Sequence, residues 1–217
     1  MRKNFAKREL KEFNKFRSIF QRFFCSWILG SYIRLRYKFE VQGNVKELKD
    51  KKFIAVSNHI SNWDPFIVCD ALRKTSLAYM AKQELFDKFF SRLLMDWCGA
   101  FAVNREKVEV ATLRTALSLK NTKWNLGIFP QGTRQKFGQL DSINKGFATL
   151  AKATKTNILP VAIIGADKKA KWPIPFMTKN KIIVKVGEII PYSDDIDDMM
   201  KQWINAITKL TELEYAG

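Results

Sequence analysis

Histidine is almost missing from this chain, with one in 217 residues. A single imidazole cannot build a histidine-based metal cluster, and Cys25, Cys69 and Cys98 have no C-x-x-C spacing, so no metal site is expected. Three cysteines are also too few and too odd for a disulfide framework, which makes a reducing compartment the default. Long apolar runs are missing as well. Within the first 40 residues the longest stretch without a charge, 23–33, has eleven residues, where roughly twenty are needed to span a bilayer. No small-residue cleavage site follows a long apolar segment, so no signal peptide is expected. The chain has no G-x-S-x-G elbow, internal repeat or low-complexity linker.

The apolar content, 47% hydrophobic with 13% aromatic residues, excludes disorder, and the length suits a single core. Acidic residues are scarce: 38 Lys and Arg face 21 Asp and Glu, for a net charge of +17 that calls for a polyanion. Residues 1–40 hold eleven of those cations against three Glu, a net of +8, and the other 177 residues share +9. In the same segment Phe13, Phe16, Phe20, Phe23 and Trp27 recur at steps of three and four. Phe24 and Ile28 widen the stripe, and Lys11, Lys15, Arg17 and Arg22 lie off it. This pattern predicts a basic amphipathic helix resting on an anionic membrane, as a peripheral protein at the cytoplasmic face; the plainer alternatives are a stripe packed on the domain core and a basic face that is merely solvated. Nucleic acid is not expected as a partner. No zinc-finger or RNA-recognition signature is present, and phosphate backbones do not call for so many apolar anchors.

The one histidine stands in Ser57-Asn58-His59-Ile60-Ser61-Asn62-Trp63-Asp64-Pro65-Phe66, five residues ahead of a carboxylate. Imidazole titrates near neutral pH, and a carboxylate on its second nitrogen fixes the tautomer, so the pair is a candidate general base. Residues 53–56 read as a buried strand, and Asp64-Pro65 reads as a helix start with Asp64 as cap. The plainer alternative is that Asp64 caps and His59 is a polar loop residue.

Short apolar runs alternate with helical stretches along the rest of the chain. Strands are expected over 38–41, 53–57, 77–80, 100–103, 125–129, 158–164 and 182–186, and helices over 65–72, 88–98, 107–119, 145–154 and 194–214. The alternation predicts an α/β domain with a mostly parallel central sheet flanked by helices, following an N-terminal amphipathic membrane-binding segment. His59, Arg105 and Gly132-Thr133-Arg134 follow expected strand ends, where open α/β sheets form ligand crevices. Arg105 and Arg134 offer forked donors to a phosphate, Lys82 and Lys145 add charge, and the apolar stretch 172–177 is a candidate membrane-facing loop or a rigid connection.

Four motifs in order carry a family resemblance. Asn58-His59 with Asp64, Gly99-Ala100-Phe101-Ala102-Val103-Asn104-Arg105, Phe129-Pro130-Gln131-Gly132-Thr133-Arg134 and Ile158-Leu159-Pro160-Val161-Ala162 together resemble the glycerolipid acyltransferases, in the lysophosphatidic acid acyltransferase group. The resemblance covers roughly residues 40 to 190. It departs at Gln131, where the family usually has glutamate; glutamine keeps size and hydrogen bonding but not charge. The resemblance implies acyl transfer from acyl-CoA or acyl carrier protein to the free hydroxyl of lysophosphatidic acid, with no other cofactor. His59 and Asp64 would be catalytic, and Lys82, Arg105, Gln131, Gly132, Thr133 and Arg134 would bind substrate. Residues 1–37 would form the interfacial helical segment and 38–217 the acyltransferase domain. Glycerol 3-phosphate, another lysophospholipid or an amino-acid lipid stay open as acceptors, and so does a non-catalytic basic protein binding membrane or nucleic acid.

Overall fold

The computed structural model describes residues 5–103, 110–135, 140, 142–167 and 180–212. Among them the chain forms α1 (Lys15–Phe23), a π-helical turn (Phe24–Leu29), α2 (Gly30–Arg36), β1 (Lys38–Gln42), β2 (Phe53–Ser57), α3 (Asp64–Ala71), β3 (Ser76–Lys82), α4 (Phe89–Trp97), β4 (Phe101–Val103), α5 (Val110–Ser118), β5 (Trp124–Ile128), α6 (Gly146–Thr154), β6 (Asn157–Ile164), β7 (Lys181–Val186) and α7 (Ile196–Thr211). Every expected strand and helix is present with ends shifted by a few residues at most, although the start of the helix expected from 107 lies outside the described residues.

The strands form a sheet in the order β1-β7-β6-β2-β5-β3-β4. All neighbours are parallel except β6 and β7, so the expected mostly parallel sheet is what the chain builds. β2 is buried at all five positions because it lies inside the sheet with helices over both faces, and its sequence is accordingly apolar without alternation. One face is packed by α5, α6 and α7, with Trp124, Phe147 and Trp203 among the largest buried side chains. α7 begins where Asp195 caps it, accepting from the Asp198 N–H at 2.9 Å, and Trp203 Nε1 donates to the Val56 carbonyl at 3.0 Å, fastening the helix beneath β2.

The opposite face carries α3 and the helical run from Lys15 to Arg36. That run is no detached arm. Within it Cys25 is 1% exposed, and the segment leading into it is packed as well, with Phe13, 6% exposed, in the core of the first face and the Arg8 guanidinium enclosed by Glu12, Asp96 and the Ala100 carbonyl. The aromatic stripe divides accordingly: Phe13 faces inward, while Phe16, Phe23 and Trp27 stay exposed at 67%, 52% and 73%. Among the described residues no helix is long and apolar enough to cross a membrane.

Candidate active site

β2 delivers Asn58 and His59 at its carboxyl end. Asn58 is buried and continues the β2–β6 ladder with its side chain, Nδ2 donating to the Ile163 carbonyl at 2.9 Å and Oδ1 accepting from the Ile163 N–H at 2.7 Å. The loop after β5 holds His59 from the other side. The His59 N–H donates to Oε1 of Gln131 at 2.6 Å, and its carbonyl accepts from the Gln135 N–H at 2.8 Å. The imidazole stacks on Phe129 with centroids 4.4 Å apart, and Phe129 stacks on Tyr79. Gly127 makes room for this pile, since a Cβ there would collide with the Tyr79 ring.

His59 Nδ1 lies 2.8 Å from Oδ2 of Asp64, whose side chain has no solvent exposure. The same oxygen accepts the N–H groups of Ile60 and Ser61 at 2.6 and 2.7 Å. The sequence predicts Asp64 as the cap of α3, and here the structure differs: Asp64 is the first helical residue, and its carboxylate makes no cap hydrogen bond. Pro65 has no N–H to offer, and the amides of the preceding turn converge on Oδ2 instead. Three donors to one oxygen fix the carboxylate, the carboxylate fixes the ring, and Nε2 is left as the nitrogen available to a ligand.

A cavity of about 480 Å³ opens in front of the ring. Lys82, Thr133 and Arg134 are exposed on its wall, Phe66, Met80 and Met95 make it apolar, and all three cysteines lie buried along it. Hydrogen bonding with Cys69, then burial, pushes the Cys25 thiol up, and hydrogen bonding with Cys25, then burial, does the same to Cys98. A thiol so held is a poor nucleophile. Gln21 of α1 seals one wall, its Nε2 donating to the carbonyls of Leu77 and Cys98 at 2.6 and 2.7 Å.

The expected site residues divide into three groups. His59, Lys82, Thr133 and Arg134 share the cavity, because β2, β5 and β3 are adjacent and parallel and end at one edge. Lys82 is ion-paired with Glu84 at 2.7 Å, whereas Arg134 has no ion pair among the described residues. Gln131 and Gly132 do not line the cavity. Gln131 is 7% exposed and its amide oxygen is engaged by the His59 N–H, so it holds the histidine loop rather than facing the cavity. A Cβ placed on Gly132 would meet nothing within 4 Å, so its φ of +69°, not a close approach, calls for glycine. Arg105 and the stretch 172–177 lie outside the described residues. Lys145 lies away from the cavity, paired with Asp197.

Tyr79 was missed by sequence reasoning. Its hydroxyl is buried on the cavity wall without a hydrogen-bond partner among the described residues, and burial raises its pKa, so it stays a protonated donor. It sits inside an ordinary apolar strand, and only the stacking of β3 beside β5 brings it to the site.

The family model for acyltransferases matches residues 38–164. The 1-acyl-sn-glycerol-3-phosphate acyltransferase of Streptococcus pneumoniae is 26% identical over 168 residues, covering 77% of this chain and 60% of that protein. The enzyme of the same name from Bacillus subtilis is 26% identical over 187 residues, covering 86% of this chain and 90% of its own length. The chain thus spans under two thirds of the first relative and most of the second. The crystal structure of the 1-acyl-sn-glycerophosphate (LPA) acyltransferase PlsC from Thermotoga maritima superimposes with a TM-score of 0.67 at 24% identity, over 94% of this chain and 78% of that one, a likeness of fold.

Proposed function

The chain belongs to the acyltransferase family, and on that premise we propose that it moves a fatty acyl group from an acyl thioester to the free hydroxyl of lysophosphatidic acid, giving phosphatidic acid. The observation that carries this reading is His59, tied through Nδ1 to a buried carboxylate and facing an apolar cavity with Arg134 exposed on its wall. In this reading His59 Nε2 takes the proton of the acceptor hydroxyl as its oxygen attacks the thioester carbonyl, and the imidazolium then protonates the thiolate that leaves. Asp64 holds the ring in the tautomer with the proton on Nδ1 and stabilises the imidazolium. Arg134, with Arg105, would take the acceptor's phosphate, Lys82 and Thr133 would contact it at the mouth, and the acyl chain would occupy the apolar part of the cavity. Acyl-CoA or acyl carrier protein serves as donor, and no further cofactor takes part. Turnover measured with both donors against lysophosphatidic acid and the matching monoacylglycerol tests the reading; a protein that acylates neither acceptor from either donor overturns it.

The protein would work as a peripheral protein on the cytoplasmic face of an anionic membrane, with Phe16, Phe23 and Trp27 entering the interface and Lys15 and Arg22 drawing on lipid charge. Phe16→Ser, Phe23→Ser and Trp27→Ser together should weaken cosedimentation with anionic vesicles even at low salt, since apolar insertion is not screened. Unchanged cosedimentation would move the anchor elsewhere.

A further inference from the structure

The topology that gathers His59, Arg134 and Lys82 at one edge of β2, β5 and β3 gathers the loops entering those strands at the other. Each entry loop is basic: Lys51 and Lys52 precede β2, Lys74 precedes β3, and Lys120 and Lys123 precede β5. With Lys15 and Arg22 of the N-terminal helical run they line a cavity of about 820 Å³ whose wall has a single carboxylate, Asp50.

Buried polar ties hold these cations together. Lys52 Nζ donates to the carbonyls of Leu119 at 2.7 Å, Thr122 at 3.2 Å and Trp124, binding the loop before β2 to the loop that carries Lys120 and Lys123. Asn125, 2% exposed, accepts from the Phe53 N–H and donates to the Lys51 carbonyl. The hydroxyls of Ser18 and Ser76 lie 2.6 Å apart, fastening α1 beside the start of β3.

Lys15, Lys51, Lys74, Lys120 and Lys123 make no ion pair among the described residues, as Lys46, Lys49 and Lys155 elsewhere on the surface do not, but only the first five gather on one cavity wall. One unpaired surface lysine is ordinary; five around one concavity repel one another with little on the protein to offset them. Burial alone pushes Lys52 down to about 8, with no carboxylate opposing it.

We propose that this cavity binds a phosphate-bearing ligand, the phosphate coming either from an anionic lipid headgroup or from a soluble, multiply phosphorylated molecule. Ammonium groups serve phosphate as compact point charges, and the cavity has the size of small-molecule sites. Its two aromatic lining residues, Phe13 and Trp124, are buried in the core, which removes the stacking platform that single-stranded nucleic acid uses. The site is separate from the catalytic edge, and its occupancy does not depend on the proposed reaction.

The test uses the whole chain and the variant Lys51→Gln/Lys74→Gln/Lys120→Gln/Lys123→Gln, in which four side chains at the cavity mouth lose their charge. Pyrophosphate binding is measured by calorimetry at low salt, and cosedimentation is measured with phosphatidylcholine vesicles with and without phosphatidic acid. Arg134→Gln serves as control for the other edge. Salt-sensitive pyrophosphate binding that falls about tenfold or more in the four-lysine variant and survives Arg134→Gln identifies a soluble ligand. Absent pyrophosphate binding with a loss of phosphatidic-acid-dependent cosedimentation in the same variant identifies the lipid source. Wild-type behaviour of the variant in both assays, or loss of all binding in Arg134→Gln, overturns the proposal. Thioester turnover on micellar acceptor should stay within about twofold in the four-lysine variant. A chain without any acyltransferase activity would leave the binding result standing.

Discussion

At the carboxyl ends of β2, β5 and β3 polar groups are few and most are engaged: one imidazole on one buried carboxylate, Lys82 on Glu84 and Gln131 on the His59 amide, while Arg134 makes no ion pair among the described residues. At the amino ends of the same strands five lysines without ion pairs among the described residues surround a cavity larger than the one before His59. One topology serves both ends, yet at the first hydrogen bonds aim a single imidazole and at the second they tie loops together so that positive charge accumulates. Chemistry that moves a proton needs the first kind of order, because a base must be aimed. Holding an anion needs only the second.

Substitutions can break or sharpen that contrast. His59→Ala removes the only imidazole and should lower thioester turnover by about a hundredfold or more with acceptor affinity little changed. Retained turnover would mean the hydrogen-bonded edge is not the catalytic one. Arg134→Lys replaces a fork by a point charge and should reduce use of phosphorylated acceptors by about tenfold while sparing acceptors without phosphate. Equal losses on both acceptors would assign Arg134 to the fold or the donor.

Gln131→Glu leaves an oxygen for the His59 N–H, so turnover should change by about a few-fold and the ranking of acceptors should hold. A changed ranking, measured on the same acceptor panel, would return Gln131 to the substrate. The smallest effect belongs to the other edge. Burial lowers Lys52 from 10.5 to about 8, so between those values the unfolded chain binds the proton and the folded chain does not. Keeping buried Lys52 charged therefore costs stability below that window, and the cost is relieved as pH rises across it and is gone above it. Thermal unfolding followed from about pH 7.5 to about pH 10.5 should rise more steeply in the wild type than in Lys52→Met, and a saturating anion should move the onset to higher pH.

Much of this was legible in the residues because local rules governed it. β2 reads as an unbroken apolar run because it is covered on both faces, and α7 announces its start with acids and its buried side with Trp203 and Ile207. His59 and Asp64 stood out because a turn of four residues can close on itself. The tie between Gln131 and the His59 amide was not legible, because the two are 72 residues and one strand apart. The aromatic stripe was visible, yet its division into a packed Phe13 and exposed Phe16, Phe23 and Trp27 depended on which side the sheet covers.

Periodicity, spacing and composition, which act within a few residues, were enough to determine the alternating α/β order, the histidine–aspartate pair and the excess of positive charge. The tertiary structure alone decided that the cysteines line one cavity with His59, that Tyr79 presents a hydroxyl there with no partner among the described residues, and that lysines from three separate loops meet at the opposite edge. The reason is physical: hydrogen bonds between β2, β5 and β3 set which loop ends become neighbours, and that pairing joins segments far apart in the chain, as where Ile54 lies beside Leu126.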